Sequence, residues 1–95
     1  LKGWQIVARR VRTRAGEIDL IARRGSLVIF VEVKARATEA ELDLAIDERR
    51  LSRVAAAAES VAHTYLRPGD DMQIDVMLLA PGRIPRHLSN VWHGG

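Results

Sequence analysis

The chain alternates between short stretches of two-residue periodicity and one long stretch of helical periodicity. Ile18 to Ala22 and Leu27 to Val33 are apolar runs of strand length, separated by Arg24, Gly25 and Ser26, and they predict a β-hairpin. Side chains alternate along a strand. Ile18 and Leu20 are therefore expected on one face, with Glu17, Asp19 and Ile21 on the other. In the second strand Ile29, Val31 and Val33 form an apolar face, and Phe30, Glu32 and Lys34 point the opposite way. With a two-residue Gly25-Ser26 loop, glycine first as a type II′ turn prefers, Asp19 falls opposite Glu32 and Glu17 opposite Lys34. Moving the loop to Arg24-Gly25 offsets the two carboxylates by one diagonal step but keeps them on one face.

Upstream, Trp4 to Val11 alternates loosely and predicts a strand, and residues 12–16 turn the chain into the hairpin. Residues 37–44 lack a core pattern and predict a mobile loop beside the hairpin's charged end. Within it, Thr38 and Glu41 have capping-box spacing for a short helical turn. From Ala45 to Leu66 the pattern is helical, with Leu51, Val54, Ala55, Ala58, Val61, Ala62 and Tyr65 on one stripe, and Arg67-Pro68-Gly69 ends it. Gln73 to Ala80 predicts a buried strand in which Asp75 is a structural hydrogen-bond acceptor. Pro81-Gly82 turns the chain, and Ile84 to Trp92 is a loose final strand. The order is β, β, β, α, β, β: an α/β domain in which an antiparallel meander is followed by a helix and further strands. The apolar faces of helix and hairpin are expected to form its core.

Composition narrows the possibilities. At 95 residues, 47% hydrophobic and 28% charged, the chain is expected to be one soluble domain, residues 1–95. No apolar run approaches the ~20 residues of a membrane span, and no secretory signal opens the chain, so no membrane partner is expected. The absence of cysteine excludes disulfides, thiolate zinc sites and thiol nucleophiles, and suits a cytoplasmic setting. His63, His87 and His93 lack metal-ligand spacing, and no Ser/His/Asp set, P-loop or dinucleotide fingerprint is present.

The charged residues carry the chemistry. Two neighbouring carboxylates, Asp19 and Glu32, repel. A divalent cation relieves that repulsion, and carboxylate oxygens are the ligands Mg²⁺ and Mn²⁺ prefer. Lys34, one pleat on, could reach a substrate phosphate or a metal-bound water. The bland alternative is a solvated polar face with a Glu17–Lys34 ion pair. The net charge is +3 and the pI about 10.2, with the arginines clustered: Arg9, Arg10, Arg12 and Arg14 near the first strand, Arg23 and Arg24 at the hairpin turn, Arg49, Arg50 and Arg53 on the helix. Such clusters suit a phosphate-backbone binder, although general solubility also accounts for them. Lys34 and Lys2 are the only lysines. A guanidinium does not replace an ammonium in proton-linked chemistry.

The combination of Gly16-Glu17-Ile18-Asp19-Leu20-Ile21-Ala22 with Phe30-Val31-Glu32-Val33-Lys34-Ala35-Arg36, the Ala-rich helix ending Tyr65-Leu66, and Ile74-Asp75-Val76 resembles the YraN-like bacterial family of the PD-(D/E)xK nuclease superfamily, relatives of archaeal Holliday-junction resolvases. The likeness spans nearly the whole chain. It implies a restriction-endonuclease-like core with the family's N-terminal helix missing or truncated. It implies an endonuclease-like site in which Asp19, Glu32 and the Val33 carbonyl ligate Mg²⁺ or Mn²⁺. Lys34 would orient or activate the attacking water, and Glu17 would be a supporting acid. Arg12, Arg14, Arg36, Arg49, Arg50 and Arg53 are the expected nucleic-acid contacts, to DNA ahead of RNA, and a homodimer would match two-fold symmetric substrates. Near Arg50 the family often has lysine, so this chain departs there. The alternative is a non-catalytic nucleic-acid-binding module on the same fold.

Overall fold

A computed structural model describes residues 2–38, 40, 41 and 47–94. Strands β1 (Gln5–Arg12), β2 (Glu17–Arg24) and β3 (Leu27–Ala35) form the meander. Helix α1 (Glu48–Tyr65) then crosses to β4 (Asp71–Leu79), and a short β5 (Arg86–Leu88) follows. The five strands form one sheet in the order β1-β2-β3-β4-β5, antiparallel except for the β3–β4 pair, which is parallel. A parallel pair needs a long crossover, and the stretch containing α1 supplies it.

The hairpin register follows from its turn. Arg24 pairs with Leu27 around a Gly25-Ser26 loop. Gly25 has a φ of 61° while Ser26 has no positive φ, as a type II′ turn requires. The β2–β3 ladder runs to Leu20↔Val31 and gives out at the next step, where Asp19 would face Glu32. The Asp19 carboxylate takes over there, with Oδ2 accepting the Val33 amide at 2.8 Å.

The core lies on the face opposite to the one expected. Val28 and Phe30 of β3, with Ile74, Val76 and Leu78 of β4, pack against Leu51, Val54, Ala55, Ala57 and Ala58 of α1. Ile29 and Val31 face away, in a second cluster with Ala22, bordered by Trp4, Leu20, Leu27, Val33 and Met77. Val28 to Val31 are all fully buried, because β3 lies inside the sheet and has apolar cover on both faces. The helix therefore sits on the same face as Glu32 and Lys34, which makes the charged site part of the helix–sheet seam.

Alternation also breaks in β2. Ile18 and Ile21, three residues apart, both belong to the helix-side cluster. The break lies opposite Arg10, which has a left-handed φ of 51°, in a β1 strand that also bulges between Ile6 and Ala8. The kink brings Ala8 and Val11 onto the same core, again three residues apart.

Several boundaries differ from expectation. Asp47 caps α1 with an extended backbone, its Oδ1 accepting the Arg49 amide at 2.9 Å, so the helix starts at Glu48. Ala45 and half of 37–44 (residues 39 and 42–44) lie outside the described residues. The Thr38 hydroxyl accepts the Glu41 amide at 3.3 Å, one half of a capping box, and donates to the Glu41 carboxylate at 3.3 Å, where a full box would use the Thr38 amide. The last strand shrinks to Arg86–Leu88. Arg23, expected as part of a surface cluster, is buried. Its guanidinium ties Gly25 O, Tyr65 O and Asp70 Oδ2 together, at 2.7 Å to the carboxylate, clamping the end of α1 to the hairpin turn. Asp75 is fully buried and accepts from Gln73 Nε2 and the Asn90 amide, with His87 Nε2 at 2.6 Å from its other oxygen, the structural role expected of it.

Candidate active site

Where β2 and β3 part, a cavity of about 160 Å³ opens beneath the first turns of α1, lined by Gly16, Glu17, Asp19, Glu32, Arg50, Arg53 and Val54. The local sequence builds each wall. The Thr13 hydroxyl closes the β1–β2 turn by donating to Gly16 O at 2.7 Å and accepting the Ala15 and Gly16 amides at 3.1 Å. Gly16 has a φ of 156° beside α1, with the backbone of Arg53 3.8 Å from where a Cβ would sit. That distance is ordinary contact, so it is the backbone angle and not the space that favours glycine here.

The two expected carboxylates meet here in different environments. Asp19 is half-buried, and its carboxyl is held above the usual carboxylate range. Burial contributes most, and the negative charges of Glu32 and Glu17 add to it, against the Val33 amide and Arg50. Glu32 is nearly fully buried at 4% exposure. Its Oε1 has two cations, Lys34 Nζ at 3.3 Å and Arg50 Nε at 2.8 Å. That bond keeps the Arg50 guanidinium firmly protonated.

The other expected residues take different positions. Glu17 does not pair with Lys34; the ladder that would join them has ended, and Glu17 instead meets Arg12 at 3.3 Å in an exposed pair. Lys34 is buried at 7% exposure and is not part of the cavity wall, so it reaches the site through Glu32. The observed link between Val33 and the site is its amide, bound to Asp19. Arg53 lines the cavity, whereas Arg14, Arg36 and Arg49 do not. Arg36 Nη1 turns back to Ala35 O at 2.8 Å.

On the far side of Asp19 a second cavity, about 380 Å³, is lined by Arg9, Arg10, Glu17, Asp19, Leu20 and Val33. The expected site set contains neither Arg9 nor Arg10. Counting back from the four-residue turn would have found them, since Arg12 pairs with Glu17 and Arg9 with Leu20, which leaves Arg10 opposite Asp19.

Among the described residues no three His, Asp or Glu side chains converge on one ion position. Asp19 and Glu32, with Glu17 beside them, are the carboxylates that line the cavity. Mg²⁺ accepts such a set, because it keeps several waters and is commonly held by one or two carboxylates plus substrate phosphate oxygens. The chemistry of the donor set therefore fits a hard divalent cation.

Comparison with known proteins places the same residues in one family. The family profile described as "Uncharacterised protein family UPF0102" matches residues 1–79. A UPF0102 protein of Erythrobacter litoralis is 67% identical over 91 residues, covering 96% of this chain and 78% of the relative. One from Sphingopyxis alaskensis is 62% identical over 92 residues, covering 97% and 79%. A more distant one from Methylorubrum extorquens is 47% identical over 93 residues, covering 97% and 73%.

Proposed function

The chain belongs to the UPF0102 family, and from that starting point we propose that it is an endonuclease-like domain that binds DNA and hydrolyses phosphodiesters with Mg²⁺ or Mn²⁺. The observation that carries this reading is the cavity in which two carboxylates on parting strands face two arginines of α1. Carboxylates alone would repel a phosphodiester and arginines alone would only hold one. Together they suit a phosphate brought to a cation.

Asp19 and Glu32 would hold the ion. Bound there, it would supply Lewis-acid polarisation of the phosphoryl oxygen and a water of lowered pKa. The chain's own groups do the rest. Val33 N–H fixes the Asp19 carboxylate, and Lys34 fixes that of Glu32. Arg50 and Arg53 offer guanidinium donors to phosphate oxygens, for which their fork geometry is suited. Glu17, at the cavity mouth, can accept a proton from water. A two-fold dimer on a branched or junction DNA would place two such sites symmetrically.

The rival reading is a nucleic-acid-binding module without catalysis. One observation favours it: Glu32 already has two cationic partners. Cleavage of nicked and branched DNA with Mg²⁺ or Mn²⁺, by the parent, Asp19→Asn and Lys34→Arg proteins, separates the two. Metal-dependent cutting by the parent, abolished by Asp19→Asn, supports the nuclease. DNA binding with no cutting under any of these conditions supports the module.

A further inference from the structure

Arg9 and Arg10 are adjacent in a strand, where neighbouring side chains should point to opposite faces. Both line the same cavity. The cause is the left-handed φ of 51° at Arg10, a conformation L-residues rarely hold and one that tends to persist at functional sites. Arg10 lies opposite Asp19, between the Arg9↔Leu20 and Val11↔Ile18 pairs. Glu17 and Asp19 border this cavity and the one holding Arg50 and Arg53. The two cavities thus flank the same carboxylates, each with a pair of arginines and neither requiring the chain to move.

We infer that the Arg9–Arg10 cleft is a second phosphate subsite, which holds the nucleic-acid backbone phosphate next to the one bound at Asp19 and Glu32. This deepens the nuclease reading and rests on it. A mononucleotide would fill one cavity alone, so the preferred substrate is a continuous polynucleotide strand crossing the β1–β2 end of the sheet. In the strand's path, Arg50 and Arg53 lie on the helix side and Arg9 and Arg10 on the edge-strand side. Arg10 both lines the cleft and, through its backbone, shapes it. Its kink turns two guanidinium groups toward one side of Asp19 and leaves the carboxylates between them.

Fluorescence anisotropy with a labelled single-stranded DNA oligonucleotide, in EDTA so that no cleavage intervenes, tests this. Glycine adopts the left-handed backbone freely, so Arg10→Gly should keep or raise thermal stability while binding weakens. Arg9→Ala combined with Arg10→Gly should weaken binding about tenfold and flatten the slope of log K against log salt by roughly 0.7 per lost contact. Arg10→Lys should restore most of the affinity. Lys2→Ala, beside the hairpin turn at the other end of β1, should change nothing. If Arg50→Ala with Arg53→Ala weakens binding but the Arg9/Arg10 variant does not, the second subsite is overturned and the nuclease reading stands. If the parent does not bind the single-stranded oligonucleotide, the second subsite is overturned, and cleavage of nicked or branched DNA still decides the nuclease reading.

Discussion

Arg50 donates its Nε to Glu32 Oε1 at 2.8 Å, from a guanidinium stem that is 56% exposed to a carboxylate that is 5% exposed. Arg50 is therefore an internal counter-ion at the position where a divalent cation would bind. Being largely solvated, the guanidinium can return to water, and Lys34 still faces the Glu32 carboxylate when it does. Arg50→Ala should tighten Mn²⁺ binding several-fold and weaken DNA binding, both measurable by titration. A loss of Mn²⁺ affinity would mean that Arg50 supports the ion site instead of competing for it.

Asp19 should be a stability liability at neutral pH. Its folded carboxyl titrates above its ordinary 3.8, so folding favours the protonated form. The stability it contributes is present below that ordinary value and is lost as pH rises through the raised folded value. Asp19→Asn keeps an acceptor for the Val33 amide and should raise Tm at pH 7. The gain should disappear on acidification toward 3.8, as followed by calorimetry. A lower Tm at pH 7 would contradict the assignment.

Glu32 behaves in the opposite way. Two repelling carboxylates on a bare hairpin predict that removing either one is neutral or stabilising. The structure separates them, because Glu32→Gln leaves the buried Lys34 ammonium without its carboxylate. Removing one partner of a buried pair costs about 3–5 kcal/mol, and Arg50's freedom to re-solvate changes this little. Glu32→Gln should therefore lower the denaturant midpoint clearly, and an unchanged midpoint would show that Lys34 finds another partner.

How much of this was legible in the sequence depends on what each residue answers to. The hairpin register was legible down to two loops, Gly25-Ser26 and Arg24-Gly25, of which the protein takes the first. The strand and helix order was, because period 2 gives way to period 3.6 and back. The face covered by α1 was not. Val28 to Val31 are apolar at every position, so alternation in β3 cannot say which side meets the helix. The kink at Arg10 was not legible either, since arginine carries no left-handed signal. Nor was the burial of Arg23, whose partners Tyr65 and Asp70 lie more than 40 residues away in the chain.

Lys34 separates catalysis from binding. Its buried ammonium lies 3.3 Å from Glu32 Oε1, and a bulkier, always-charged guanidinium is not its equivalent in proton-linked chemistry. Lys34→Ala should lower turnover about 100-fold, the scale of losing one preorganised charge, while DNA affinity changes only several-fold because arginines supply the phosphate contacts. Lys34→Arg should stay impaired. Equal cutting by Lys34→Arg and parent, in a single-turnover assay, would remove Lys34 from the mechanism.

The central claim is that Asp19 and Glu32 together form a cation site, and calorimetric titration with Mn²⁺ tests it most directly. Measured between pH 5 and pH 8, the parent should bind one ion per chain, and acid that protonates Asp19, whose carboxyl is held above its ordinary range, should weaken the binding. Asp19→Asn should bind none while remaining folded by circular dichroism. Equal Mn²⁺ affinity in the parent and Asp19→Asn, or no binding by the folded parent across that range, would contradict the account.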